Sequence, residues 1–94
     1  MRLVRLPRFY DELDTIVSFI AEDSVDQAIV FFDAIFEAIH EIPSRPYSYR
    51  RREQSKYPQS REMIFKGYCV PFYIDEEENT IVILGIYNQN IWEE

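Results

Sequence analysis

The run Thr80-Ile-Val-Ile-Leu-Gly-Ile-Tyr87 is apolar on both of its faces. In a strand, successive side chains alternate sides. Val82, Leu84 and Ile86 therefore face one way, and Ile81 and Ile83 the other. Such a strand needs cover on both sides, which suits a central position in a sheet. The chain has 94 residues, and a chain of that size buries roughly 60–65% of its unfolded surface, enough for one core and not two. The rest of the molecule must be arranged around this strand, with residues 1–94 forming a single domain. Gly85 interrupts the run, which marks a bulge or a close backbone approach.

Two earlier segments carry helical periodicity. Leu13, Ile16, Val17 and Ile20 fall at i, i+3, i+4 and i+7, one apolar stripe of an amphipathic helix that starts near Pro7. Asp11 and Glu12 are expected in its first turn, where the helix dipole favours anions. Asp23 or Ser24 can cap a second helix over residues 25–41. Its stripe is Ala28, Phe32, Ile35, Ile39 and Ile42, widened by Phe31, Ala34 and Ala38. So short a link predicts an antiparallel helical hairpin.

The other strands frame this pair. Arg2–Leu6 is short and rich in branched apolar residues, and reads as a strand. Residues 43–60 hold three Pro, four Ser and three Tyr without apolar periodicity, and read as an ordered loop with a short helical turn. Residues 61–65 and 68–74 read as strands joined by a tight turn at Lys66-Gly67, and Asp75–Asn79 as an acidic turn. Pro71 cannot donate to a ladder, so it needs an edge, a bulge or an unbonded position. The expected order is β-α-α-β-β-β: an α+β fold with the helical hairpin packed on an antiparallel sheet.

Composition narrows the class. The chain is 47% hydrophobic and 16% aromatic, which excludes disorder. Its longest apolar run is Ala28–Phe32, far short of the roughly 20 residues a membrane span needs. The first residues show no signal-peptide pattern, and a single cysteine, Cys69, permits no internal disulfide. The cytoplasm is the expected location.

Charge is segregated. Residues 9–44 hold nine acids and no Lys or Arg, and residues 67–94 hold six acids and no base. Seven bases fall within residues 45–66. The net charge of −7 argues against a protein coated with nucleic acid. The central bases either neutralise neighbouring acidic helices or form a local anion-binding patch. Arg50, Arg51, Arg52, Lys56, Arg61 and Lys66 are interleaved with Tyr47, Tyr49 and Tyr57, a combination that suits RNA or phosphate by charge and stacking. Tyr87-Asn-Gln-Asn-Ile-Trp92 follows the central strand, and its amides and aromatics either present a binding surface or cover the core edge.

Little else points to chemistry. The sole His, His40, sits in the last turn of the second helix, where the dipole favours a cation. Cys69 lies among apolar residues and reads as a small hydrophobe. No metal-ligand spacing, nucleophile triad or phosphate loop is visible, so no metal and no cofactor are expected. Asp75-Glu-Glu-Glu78 fits no calcium loop and reads as a solvated turn.

The order of these pieces resembles the RelE/ParE superfamily of bacterial toxins, the toxic halves of type II toxin–antitoxin pairs. The resemblance spans nearly the whole chain. It rests on Asp11-Glu-Leu13, Phe19-Ile-Ala21, Gln27-Ala-Ile29, Phe36-Glu-Ala-Ile39 and Ile42-Pro43, then Arg61-Glu-Met63, Gly67-Tyr68, Phe72-Tyr-Ile74 and Ile81–Tyr87. It implies a helical hairpin on an antiparallel sheet, neutralised by an antitoxin that wraps an extended or helical segment around it. RelE-like members cut messenger RNA, mostly in the ribosome; ParE-like members poison DNA gyrase.

Two departures bear on the choice. The family usually has Arg after the Gly-Tyr of the middle hairpin, where this chain has Cys69. It often ends the last strand with a polar group and one or two Arg, where this chain has Tyr87-Asn-Gln-Asn90. The resemblance therefore favours a ParE-like toxin that binds a host protein, gyrase first. Arg50, Arg51, Arg52, Lys56, Arg61, Lys66, Tyr87 and Trp92 are its expected binding residues. The alternatives are an RNA endonuclease using Tyr87 with Arg50, Arg52 and Arg61, and a toxin fold serving only as a binding module. Expected partners are a cognate antitoxin and possible further copies of the chain, with RNA or the ribosome only in the nuclease alternative and no membrane.

Overall fold

The computed structural model describes residues 1–88 and 91–94. Strand β1 (Arg2–Arg5) leads into helix α1 (Pro7–Asp23) and helix α2 (Val25–Glu41). Two single 3-10 turns, Ile42–Ser44 and Pro46–Ser48, follow. Then come β2 (Arg50–Arg51), β3 (Ser60–Phe65), β4 (Tyr68–Asp75) and β5 (Thr80–Ile83). The helices lie on a five-stranded sheet of order β1-β5-β4-β3-β2.

The helix boundaries follow local chemistry. Pro7 opens α1, where its missing N–H is no loss. Ser24 caps α2, its Oγ accepting from the Gln27 N–H at 3.2 Å. Asp11 and Glu12 fall beyond the first turn because α1 starts at Pro7. Glu12 instead accepts from the Ile86 N–H at the strand end.

The sheet is mixed rather than purely antiparallel. β1 runs parallel to β5, with Arg2 opposite Thr80 and Arg5 opposite Ile83. The β2–β3, β3–β4 and β4–β5 pairs are antiparallel. A short apolar strand carries no mark of its direction. That is decided by which edge remains open when the helices return the chain to the far side. The same return pairs Arg50 and Arg51 with β3, so part of the expected loop becomes a two-residue edge strand. β5 lies between β1 and β4 and is buried along its length, the central place its two apolar faces require.

Pro71 sits at a slip in the β4–β5 register. Phe72 is opposite Ile83, yet Cys69 is opposite Tyr87. The partner thus carries one residue more over that stretch, as at a bulge. The proline carbonyl still accepts from the Leu84 N–H at 2.9 Å.

The core lies between helices and sheet. Phe9, Leu13, Phe31, Ile35 and Ile39 pack on Met63, Val70, Phe72, Ile81, Ile83 and Ile86. Phe32, expected on the inner stripe of α2, is 44% exposed, while Phe31 is 7% exposed. Both positions satisfy the helical period. The rotation of α2 chooses Phe31, whose ring meets Tyr68 at 5.3 Å and Phe65 at 6.0 Å between centroids. Accordingly, Ile39→Ala is expected to cost about 3 kcal/mol, and Phe32→Ala under about 1 kcal/mol. Denaturant unfolding of both variants checks this rotation.

Candidate functional site

The sheet face opposite the helices carries the charged cluster. Alternation along β3 and β4 sends Met63, Val70 and Phe72 into the core and Glu62 and Cys69 to the other side. Glu62 is the hub. Its Oε1 accepts from Arg50 Nε at 2.9 Å, and its Oε2 lies 2.7 Å from Cys69 Sγ and 3.8 Å from Arg52 Nη1. The Glu62 and Arg52 side chains are only 13% and 12% exposed, so this charge pair is largely removed from water.

Arg52 holds several loose contacts. Its Nη1 is 3.4 Å from the Tyr87 hydroxyl and its Nη2 is 3.6 Å from Glu94 Oε2. Its guanidinium also lies 5.3 Å from the Trp92 ring centre. Tyr87 and Trp92 stack with centroids 5.5 Å apart and planes inclined by 11°. Arg50, Arg51, Arg52, Glu62, Tyr87 and Trp92 line one shallow concavity.

Trp92 is placed from the other side by Glu12 on α1. One Glu12 oxygen accepts from the Ile86 N–H at 3.0 Å. The other accepts from Trp92 Nε1 at 2.9 Å and from Arg8 Nε at 3.1 Å. Arg8 lies over the indole at 4.0 Å and donates to the Glu93 carbonyl. All this crowds Gly85. A Cβ there would stand 2.7 Å from Trp92 Cζ2 and would also strike the Glu12 carboxylate. The close approach anticipated at Gly85 is thus made by side chains of α1 and the C-terminal segment.

Cys69 and Tyr87 both keep their protons at neutral pH. Burial, then the hydrogen bond to Glu62, pushes the Cys69 thiol from 9.0 up to about 11. The Tyr87 hydroxyl is also raised, first by burial and then by its hydrogen bond with Cys69, against the opposing pull of Arg52. Cys69 is thus buried as expected of a small hydrophobe, yet it also donates to a charge.

The expected basic residues do not converge as a set. Arg50, Arg51, Arg52, Tyr87 and Trp92 share the concavity. Arg61 is turned away from it. Its Nη1 donates to the Tyr49 carbonyl at 3.2 Å and the Tyr47 carbonyl at 3.4 Å, holding the 43–60 loop. Lys66 lies by the hairpin turn, beside a cleft lined by Ile20, Gln27, Val30 and Phe31. The Lys56 ammonium lies 5.4 Å from the Tyr57 ring centre, and that ring stacks on Tyr73 at 4.1 Å. His40 Nε2 is 3.5 Å from Arg5 Nη1 at the end of α2, apart from this cluster. Gln89 and Asn90, expected in the binding surface, lie outside the described residues. Among the described residues no group of His, Cys, Asp and Glu converges to hold a metal, and no helix is long and apolar enough to cross a membrane.

Sequence reasoning did not find Glu12, Glu62 or Glu94. Each is one acid among 17, and, Arg8 beside Glu12 apart, its partners lie in other elements. The available hint was Glu62 between strand residues, since a charge there needs a partner when the strand is covered.

Two outcomes follow. Gly85→Ala should displace the indole, cost about 2 kcal/mol and red-shift the emission of Trp92, the sole tryptophan. A raised thiol pKa stabilises the fold fully below pH 9.0, and the contribution is lost as pH rises towards about 11. Cys69→Ala should flatten that part of the stability curve, and alkylation of the wild-type thiol should accelerate only across the same window.

Comparison with known proteins places this arrangement. No curated protein matches the sequence. The chromosomal ParDE TA system from P. aeruginosa contains a chain of the same fold. The match has a TM-score of 0.76 at 19% identity, covering 96% of this chain and 97% of that one. The family model described as ParE toxin of type II toxin-antitoxin system, parDE, matches residues 3–91. The chain belongs to the ParE toxin family of type II toxin–antitoxin systems.

Proposed function

We propose that this protein is a growth-inhibiting toxin that acts by binding a host protein, DNA gyrase first, and is held inactive by a cognate antitoxin. The observation that carries the reading is the family match over residues 3–91. The chemistry of the open sheet face supports a binding role rather than RNA cleavage. Cleavage through a 2′-hydroxyl needs a base near its working pH and cations on the developing phosphorane charge. Cys69 and Tyr87 both hold their protons above neutrality. Arg61 is engaged with loop carbonyls, and Arg52 is shared between Glu62 and Glu94. β4 and β5 contribute no Lys or Arg.

The helical hairpin suits an antitoxin. Phe19 is 71% exposed, Val25 63% and Val30 61%, on helices that carry acids and no Lys or Arg after Arg8. Exposed apolar surface of this kind marks an interaction face. A segment that covers it would be apolar on one side and basic at its rim.

Induction of this chain alone should arrest a bacterial host, and co-expression of the adjacent open reading frame should relieve the arrest. The purified chain should inhibit gyrase supercoiling while leaving messenger RNA intact. Arg52 is half of a shielded ion pair, so the clean probe is Arg50→Ala with Arg51→Ala, both exposed. Gyrase inhibition lost in that pair would put both arginines in the partner surface, and inhibition that survives would exclude them from it. RNA cleavage that falls about 100-fold in the double variant, with gyrase untouched, would replace this reading by the nuclease. Normal growth with folded, soluble protein would leave only a binding module.

A further inference from the structure

The loop after β2 forms a cradle around the carboxylate of Glu94. Glu94 Oε1 accepts from the Lys56 backbone N–H at 3.0 Å. Oε2 accepts from Ser55 Oγ at 2.5 Å and faces Arg52 Nη2 at 3.6 Å. The Glu94 side chain is only 11% exposed. The donors are held in advance. Ser55 Oγ itself accepts from the Tyr57 N–H at 3.1 Å, which leaves its hydrogen for the carboxylate. The Arg52 N–H closes the neck of the loop on the Ser60 carbonyl at 3.0 Å, and Tyr57 is stacked on Tyr73.

Arg52 is under-used in this arrangement. A guanidinium bound to a carboxylate normally sits about 2.7–2.9 Å from it. Arg52 stands at 3.6 Å from Glu94 and 3.8 Å from Glu62. Its buried Nε has no acceptor among the described residues. A carboxylate free of the chain's own geometry could settle more closely on the same donors.

We propose that this cradle is a carboxylate-binding site, that Glu94 is its intramolecular occupant, and that an acidic side chain of a protein partner takes its place. The donor set fits two oxygens of one monoanion. Glu62, already beside Arg52, adds a negative charge that disfavours a dianion such as phosphate. The inference rests on the cradle alone and not on the toxin reading.

The test uses the full chain and Glu94→Ala, with folding verified by circular dichroism. The Lys56 amide is followed by NMR during titration with acetate, a blocked Gly-Glu-Gly peptide and inorganic phosphate. A tethered carboxylate competes at an effective concentration on the order of millimolar, so for an intrinsic Kd of about 0.1 mM its removal should tighten acetate binding about tenfold. Peptide should saturate the same amide, and phosphate should bind more weakly than either. Adding Ser55→Ala to Glu94→Ala should abolish the gain. Equal responses of wild type and Glu94→Ala, or no saturable shift in the variant, would overturn the site. Tighter phosphate than acetate binding would overturn its carboxylate selectivity. Acetate saturating where the peptide does not would assign it to a free small carboxylate and overturn the partner reading.

Discussion

The carboxylate of Glu12 brings three parts of the chain together at one point. It sits on α1, accepts the Ile86 N–H just past β5, and accepts the indole N–H of Trp92. At that point the β4–β5 ladder has slipped register at Pro71. The Ile86 N–H lies in a part-buried stretch where an unpaired donor would cost about 1–3 kcal/mol. Glu12 satisfies it. Arg8, one turn earlier on the same helix, partly balances the charge. The contact needs Gly85, because any side chain there would occupy the space of the carboxylate and the indole.

From that joint the organisation of the open face follows. Trp92 stacks on Tyr87, and the Tyr87 hydroxyl meets Arg52 beside Glu62 and Cys69. Within this cluster charges are committed to one another. Glu62 serves Arg50 and Arg52 and receives the Cys69 hydrogen. The basic segment that looked like one patch thus divides. Arg50 and Arg51 remain outward, Arg52 is drawn inward, and Arg61 holds the loop. That division leaves two outward arginines and no convergent cationic set on the open face.

Much of the fold was legible in the residues. Both helices, the Ser24 cap, the β3–β4 hairpin and the central place of β5 follow from period, capping chemistry and two-faced apolarity. These are local properties, readable within a window of a few turns. The bulge needed by Pro71 and the crowding at Gly85 were also signalled, since each residue lacks a group that its position would otherwise demand. The choice of Phe31 over Phe32 was not, because two adjacent residues differ by less than a third of a turn and only the sheet selects between them.

The site was less legible than the fold. Arg50, Arg51, Arg52, Tyr87 and Trp92 could be named from charge and aromatic content, and they do share a concavity. Lys66 and Arg61 share the same composition and lie elsewhere. By itself the sequence determined the elements, their amphipathic faces and the segregation of charge, because those depend on near neighbours along the chain. Only the tertiary structure decided that β1 joins β5 in parallel, that Glu12 meets Gly85 and Trp92, and that Glu94 fills the cradle beside Arg52. Each of those contacts joins residues that are far apart in the chain, and no local preference encodes which distant partner a charge or a strand edge will find.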